Sequence, residues 1–184
     1  MTSSPSRIEA IYVRPIAEGV EAGLLHRLAG SLDGVFGVPC WPNREPLAVE
    51  FAFDAVRGQY HSTAILQHLQ PYAAGLKEVR LLGVTGLDLF VPVLTFVFGE
   101  AQLEGRCALI SLHRLHEEFY GLPPDNRLLE ERALKEAVHE LGHTFGLKHC
   151  PDWQCVMAST HAVERLDLKG ADFCRSCRKL VRLG

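Results

Sequence analysis

No stretch of this chain is apolar for long enough to cross a bilayer; every run falls short of the roughly 18 residues a span needs. The opening residues, Met1-Thr2-Ser3-Ser4-Pro5-Ser6-Arg7, lack the apolar core of a secretory signal. An excess of positive charge is missing too. The formal net charge is −3, which removes the general electrostatic case for nucleic acid. There is no internal repeat, no low-complexity segment and no evident pro-segment. These absences lead to the expectation of a cytoplasmic protein without membrane or nucleic-acid partners, not activated by cleavage, with a monomer favoured.

What is present suits one globular domain. The chain has 184 residues, 47% hydrophobic and 22% charged, enough to bury about 70% of its unfolded surface. We expect a single domain over 1–184, with an N-terminal sheet-and-helix part over about 1–146 and a C-terminal part over about 147–184. Ile8 to Arg14 is apolar and β-branched and reads as a first strand ended by Pro15. Val20, Leu24, Leu25, Leu28 and Leu32 form a helical stripe over Glu18 to Leu32. Loop signals fill Gly34 to Pro46. Leu47, Val49, Phe51 and Phe53 alternate as in a strand, and Ser62 to Tyr72 reads as a helix with Ser62 as N-cap. Val79 to Val84 is a further strand, and Leu94 to Leu103 and Cys107 to Leu112 a pair turning at Glu104-Gly105. Asp125 or Asn126 can cap a long helix whose Leu128, Leu129, Leu134, Val138 and Leu141 face the core. Little regular structure is expected from His149 to about Ala171. The basic cluster Arg175, Arg178, Lys179 and Arg182 reads as the solvated face of a last helix. Early alternation of strands and helices predicts an α+β fold with a mixed, twisted sheet.

The most specific feature is His139-Glu140-Leu141-Gly142-His143-Thr144-Phe145-Gly146-Leu147-Lys148-His149, an HExxHxxGxxH pattern. On a helix, His139 and His143 share a face about 6 Å apart along the axis, and both can reach one cation at about 2.0–2.1 Å. Glu140 flanks the site and can address a water there rather than the metal. His149 would lie roughly 240° round from His143 and about 9 Å on if the helix continued. Gly146 resolves this, because glycine enters the left-handed region freely and ends helices. The chain can then bring His149 back as third ligand. Three imidazoles leave a fourth position open, as a catalytic zinc requires.

Four of the six cysteines, Cys150, Cys155, Cys174 and Cys177, lie in the last 35 residues. The CxxC of Cys174 and Cys177 with the wider pair suits a closed structural zinc site. Two disulfides, or one redox CxxC, are the alternatives, and a reducing compartment disfavours the first. Cys107 sits in an apolar run and reads as core. Cys40 reads as a plain loop cysteine, with capping of the catalytic metal as its alternative.

These patterns together resemble the archaemetzincin family of zinc metalloproteases, within the metzincin clan. The resemblance rests on His139 to His149, on Cys150-x4-Cys155-Val156-Met157 and on the late Cys174-x2-Cys177. It extends upstream to Phe53-Asp54-Ala55-Val56-Arg57-Gly58-Gln59-Tyr60-His61-Ser62, to Leu82-Gly83-Val84-Thr85 and to Asp88-Leu89-Phe90-Val91-Pro92. It departs in one respect: 16 residues separate Met157 from Cys174, about one fewer than the family pattern. The resemblance implies a zincin-like fold with a long active-site helix and a C-terminal zinc knot. It implies two Zn2+, one catalytic and one structural, and a "Met-turn" at Met157 beneath the metal. It implies hydrolysis of peptide bonds by a metal-activated water, with Glu140 as general base. A peptide or protein substrate would lie extended along an edge strand, with Phe96 to Leu103 the candidate, and His161 would stand near the S1′ wall. The pattern is compatible with endopeptidase and aminopeptidase action alike. The alternatives are a weakly active or inactive zinc-stabilised peptide-binding module, or another hydrolysis such as deacetylation, which the geometry of the motif disfavours.

Overall fold

A computed structural model describes residues 8–75 and 78–181. Met1–Arg7 and Arg182 of the basic cluster lie outside the described residues. Five strands form the main sheet: β1 (Ala10–Ile16), β2 (Cys40–Pro42), β5 (Val79–Thr85), β7 (Gly99–Ala101) and β8 (Cys107–Ser111). Their order is β2-β1-β5-β8-β7, parallel except for the last pair. A small second sheet joins β3 (Phe53–Asp54), β4 (Gln59–His61) and β6 (Leu89–Phe90) in the order β3-β4-β6. The fold class is thus α+β with mixed sheets, as expected.

Both faces of the main sheet are covered, so its central strands bury apolar residues on both faces rather than on one. Leu82, Val84, Ala108 and Ile110 pack with Leu25, Leu28 and Leu32 of α1 (Ala22–Phe36) and with Ala133, Ala137 and Leu141 of α3 (Asn126–Thr144). Leu81, Cys107 and Leu109 point the other way, toward Ile65, Leu66 and Leu69 of α2 (Ser62–Ala74). Residues one apart on a strand thus serve opposite layers.

Several boundaries differ from expectation, each for a local reason. Pro15 lies inside β1. The backbones of Val13, Pro15 and Ala17 face the β2 side, but β2 stops at Pro42, so the missing N–H of Pro15 breaks no ladder. Gly34 lies within α1, which runs on to Phe36 and ends at left-handed Gly37 (φ 64°). The apparent strand at 47–53 is broken by a 3-10 turn, Glu50–Ala52, which buries Ala52 and leaves Phe51 and Phe53 exposed. Ser62 does not cap α2; His61 occupies that position, and the Ser62 hydroxyl turns to the Glu100 carboxylate. Asp125 does cap α3, its carboxylate accepting from Leu128 N–H at 2.9 Å. Two short helices follow His149, α4 (Val163–Leu168) and α5 (Arg175–Val181), the first of them unexpected. A bidentate pair anchors α4: the buried Arg132 guanidinium grips the Asp167 carboxylate through two 2.7 Å bonds.

Candidate metal centre

The last two turns of α3 carry His139 and His143 on one face, as the four-residue spacing dictates. The helix then stops. Gly146 adopts φ 85°, its N–H bonds His143 O, and Leu147 N–H reaches back to Gly142 O. This reversal returns His149 to the other two rings, with centroids 5.3 Å from His139 and 5.2 Å from His143. One nitrogen from each of the three histidines lies within 4.8 Å of the other two.

Hydrogen bonds fix the tautomers on the helix. His139 Nδ1 lies 2.8 Å from Val156 O and His143 Nδ1 2.7 Å from Leu147 O. A carbonyl only accepts, so each Nδ1 carries the proton and each Nε2 presents a lone pair. The two Nε2 atoms stand 3.2 Å apart. Facing lone pairs repel unless a cation or proton lies between them. The edge of a tetrahedron built from 2.0–2.1 Å bonds is about 3.3 Å, so the donor set fits a small divalent ion. Burial lowers the pKa of all three histidines, most of all that of His139, and keeps them in the neutral form that a metal requires.

Glu140 is buried and lines the same cleft, whose volume is about 680 Å³. Desolvation, reinforced by the Glu136 charge and opposed by Lys169, holds its carboxyl well above the usual carboxylate range. Two glycines make room for the arrangement. A Cβ on Gly99 would stand 2.6 Å from Glu140 Cγ and 2.7 Å from Leu109 O, and one on Gly142 would overlap Met157 Sδ. Met157 is fully buried, with its sulfur filling the hollow at Gly142 between the two helix histidines. His161 is exposed and lines the cleft with Ser159, whose hydroxyl is 3.3 Å from its Nε2.

The second cluster joins Cys150, Cys155, Cys174 and Cys177, with sulfurs within 4.8 Å of one another and none bridged. Cys150 Sγ and Cys174 Sγ are 3.8 Å apart. A disulfide needs about 2.05 Å, whereas tetrahedral thiolates at 2.3 Å from zinc sit about 3.8 Å apart. The Cys177 backbone N–H draws the Cys174 thiol down to about 7, toward the thiolate. Cys107 is core, as expected. Cys40 is not in a loop but in β2, at the sheet edge opposite β7 and about 19 Å away by strand spacing. Its thiol donates to Val38 O, and burial pushes its pKa up to about 12. Cys40 does not line the cleft that holds the histidine cluster.

Sequence reasoning missed the polar groups beside the histidines. Lys169 is buried, with Nζ 3.5 Å from both Glu136 Oε1 and His139 Nδ1 and 3.4 Å from Ala158 O. Glu136 could have been found, since it precedes Glu140 by one turn. Lys169 is brought in from 30 residues beyond His139 and leaves no local signal.

Known proteins resemble this chain in sequence and in fold. The profile of peptidase family M54 matches residues 46–182. The archaemetzincin of Pyrococcus furiosus is 42% identical over 183 residues, spanning 96% of this chain and 95% of the relative. That of Methanocaldococcus jannaschii is 48% identical over 132 residues, covering 72% and 71%. Among solved structures, a zinc-dependent peptidase from Methanocorpusculum labreanum superposes with a TM-score of 0.86 at 31% identity, covering 94% of this chain and 100% of that one. The archaemetzincin of Archaeoglobus fulgidus, complexed with malonate, gives 0.80 at 38% identity, covering 93% and 99%.

Proposed function

The chain belongs to peptidase family M54 and is a zinc metallopeptidase, and from that premise we propose that His139, His143 and His149 hold its catalytic zinc while Glu140 acts as general base. The observation that carries this reading is the meeting of three imidazole nitrogens in a cleft that Glu140 also lines. Zinc, when bound there, supplies Lewis acidity and lowers the pKa of water toward about 7. Glu140 takes the proton of the attacking water and returns it to the leaving amine. Its side chain is buried against Gly99, and the nearby Lys169 charge favours its ionised form. Val156 O and Leu147 O keep the two helix imidazoles turned inward.

The substrate lies along β7, the edge of the main sheet. Ser111 N–H bonds Phe98 O and Gln102 N–H bonds Cys107 O, so alternate residues of this strand face β8. The backbones of Gly99 and Ala101 therefore face the other way, and both residues line the cleft. An extended peptide adds there as a further strand. It then runs past Glu140, against which Gly99 packs. Cys150, Cys155, Cys174 and Cys177 hold a second, structural zinc. Met157 serves as the buried support of the histidines. Four unbridged thiols placed for metal suit a reducing cytoplasm. Residues 1–184 act as one domain, with the C-terminal part joined to the site at Gly146.

The test is Glu140→Ala, followed by metal analysis and a quenched-peptide library. The expected result is two zinc ions per chain, as in wild type, with cleavage reduced by about 10²–10⁴-fold. Cleavage at the wild-type rate would exclude Glu140 as the base. Peptide binding without product by the wild-type protein would favour the binding-module alternative.

A further inference from the structure

The segment that runs from Arg57 into α2 touches none of the groups assigned to chemistry, yet its polar side chains converge on one target. Gln59, buried, donates one N–H of its amide to Thr95 O at 3.0 Å and the other to Asp88 Oδ2 at 2.8 Å. Asp88 is held in turn by Arg114, Nε to Oδ1 at 2.7 Å and Nη2 to Oδ2 at 2.8 Å. The Arg57 guanidinium forks to Leu94 O at 3.0 Å and Pro92 O at 3.3 Å, and lies over the Phe90 ring. Farther along, the hydroxyls of Ser62 and Thr63 both donate to the Glu100 carboxylate, Thr63 at 2.8 Å. Leu94, Thr95 and Glu100 are all part of the cleft wall.

We infer that Gln59, Arg57 and Glu100, with the Asp88–Arg114 pair behind them, are positioning residues that clamp the cleft's upper rim and hold β7 in register for substrate. The physical need is clear. β7 is three residues long and paired on one side only, so its own ladder cannot fix the angle at which it meets a peptide. The stretch before it, from Val91 to Val97, has one backbone bond to β6, Val97 N–H to Leu89 O, and one turn bond of its own. The carbonyls of Pro92, Leu94 and Thr95 are caught by Arg57, in the turn between β3 and β4, and by Gln59 of β4. The clamp thus couples the small sheet to the substrate edge without touching the histidine cluster. The inference rests on the proposed pairing of substrate with β7.

Gln59→Ala and Arg57→Ala, singly and together, test it in the zinc-loaded protein. Amide hydrogen exchange is followed over residues 92–101 and over α3. KM and kcat are measured on a quenched peptide that wild type cleaves and on a truncated form lacking the residues that reach the rim. Rim amides should exchange about tenfold faster in the double variant, while α3 protection and zinc content stay at wild-type values. KM for the long peptide should rise about tenfold with kcat within about twofold, and the truncated peptide should show no difference. Gln59→Glu keeps the side chain's shape but loses the donors, and should behave like Gln59→Ala if the bonds to Thr95 and Asp88 matter. Rim exchange equal to wild type would overturn the clamp. Faster exchange with unchanged KM would instead overturn the pairing of substrate with β7.

Discussion

The two metal-fitting clusters are neighbours in sequence, at His149 and Cys150, but are supported in different ways. Two of the three histidines stand on a nineteen-residue helix whose apolar face is part of the main core, and their rings are aimed by carbonyls. Their geometry is a consequence of the fold. The cysteines lie on short, irregular chain. Cys150 and Cys155 flank a turn, Cys174 precedes α5, and Cys177 lies in it. The helices nearby have six and seven residues, too short to persist unaided. A few backbone bonds cross between them, such as Val156 N–H to Asp172 O and Gly170 N–H to Gln154 O. The first cluster stands on one long helix, whereas the second joins short segments that reach the same core through Cys155, Phe173, Cys177 and Val181.

Removing a cysteine tests this contrast with the largest effect. Cys174→Ser should lose the zinc proposed for the cysteines and several kcal/mol of stability, since a structural zinc contributes about 10–16 kcal/mol in small domains. The apparent Tm should fall by about 10 °C or more. Exchange protection should vanish over 150–181 before it weakens in β5 and β8. Activity should fall too, because Cys150 N–H bonds Met157 O and its neighbour is His149. A variant with both metals and a wild-type melting curve would mean that the C-terminal segment stands without its knot.

The complementary change strikes the histidine side and spares the knot. Gly99→Ala places a methyl against Glu140 Cγ and Leu109 O at distances that no real Cβ tolerates. One of these contacts is backbone, so the strand or the carboxylate must move. Overpacking of this kind costs about 1–3 kcal/mol. Displacement of a reacting group by about 1 Å can cost about 10²-fold in rate. We expect kcat/KM to fall by about that factor with two zinc ions retained. Equal activity would show that β7 can yield, which would also weaken the role given to its edge.

The same contrast explains which parts of the molecule were legible in the sequence. The histidine site was readable because helix geometry converts spacing directly into proximity, and Gly146 carried its own instruction to turn. The four cysteines were readable as a set from chemistry alone, and the structure unites them. The α1 stripe, the central strands and the Asp125 cap were also plain. What failed depended on distant partners. Phe51 and Phe53 fit a strand's period, but the turn at Glu50–Ala52 is set by packing of Val49 and Ala52 under α2. Ser62 had the chemistry of a cap, yet Glu100, 38 residues away, claimed its hydroxyl. Helix α4 has one short apolar pair, Val163 and Leu166, and is held by Arg132 through Asp167. Lys169 was hidden for the same reason.

Met157 belongs to both clusters and should give the smallest effect. Its backbone carbonyl receives the Cys150 N–H, and its thioether lies in the hollow at Gly142. Leucine preserves volume, and such swaps usually cost less than about 1.5 kcal/mol. Its branch point is nevertheless nearer the backbone than the sulfur is, so it fills the hollow less evenly. Met157→Leu should therefore keep both metals, lower Tm by a few degrees at most and reduce kcat/KM by less than about tenfold. The backbone bond to Cys150 is untouched, so any loss must come through the histidine side. If Met157→Leu instead released the knot's zinc while leaving peptide cleavage intact, the thioether would be supporting the cysteines rather than the imidazoles.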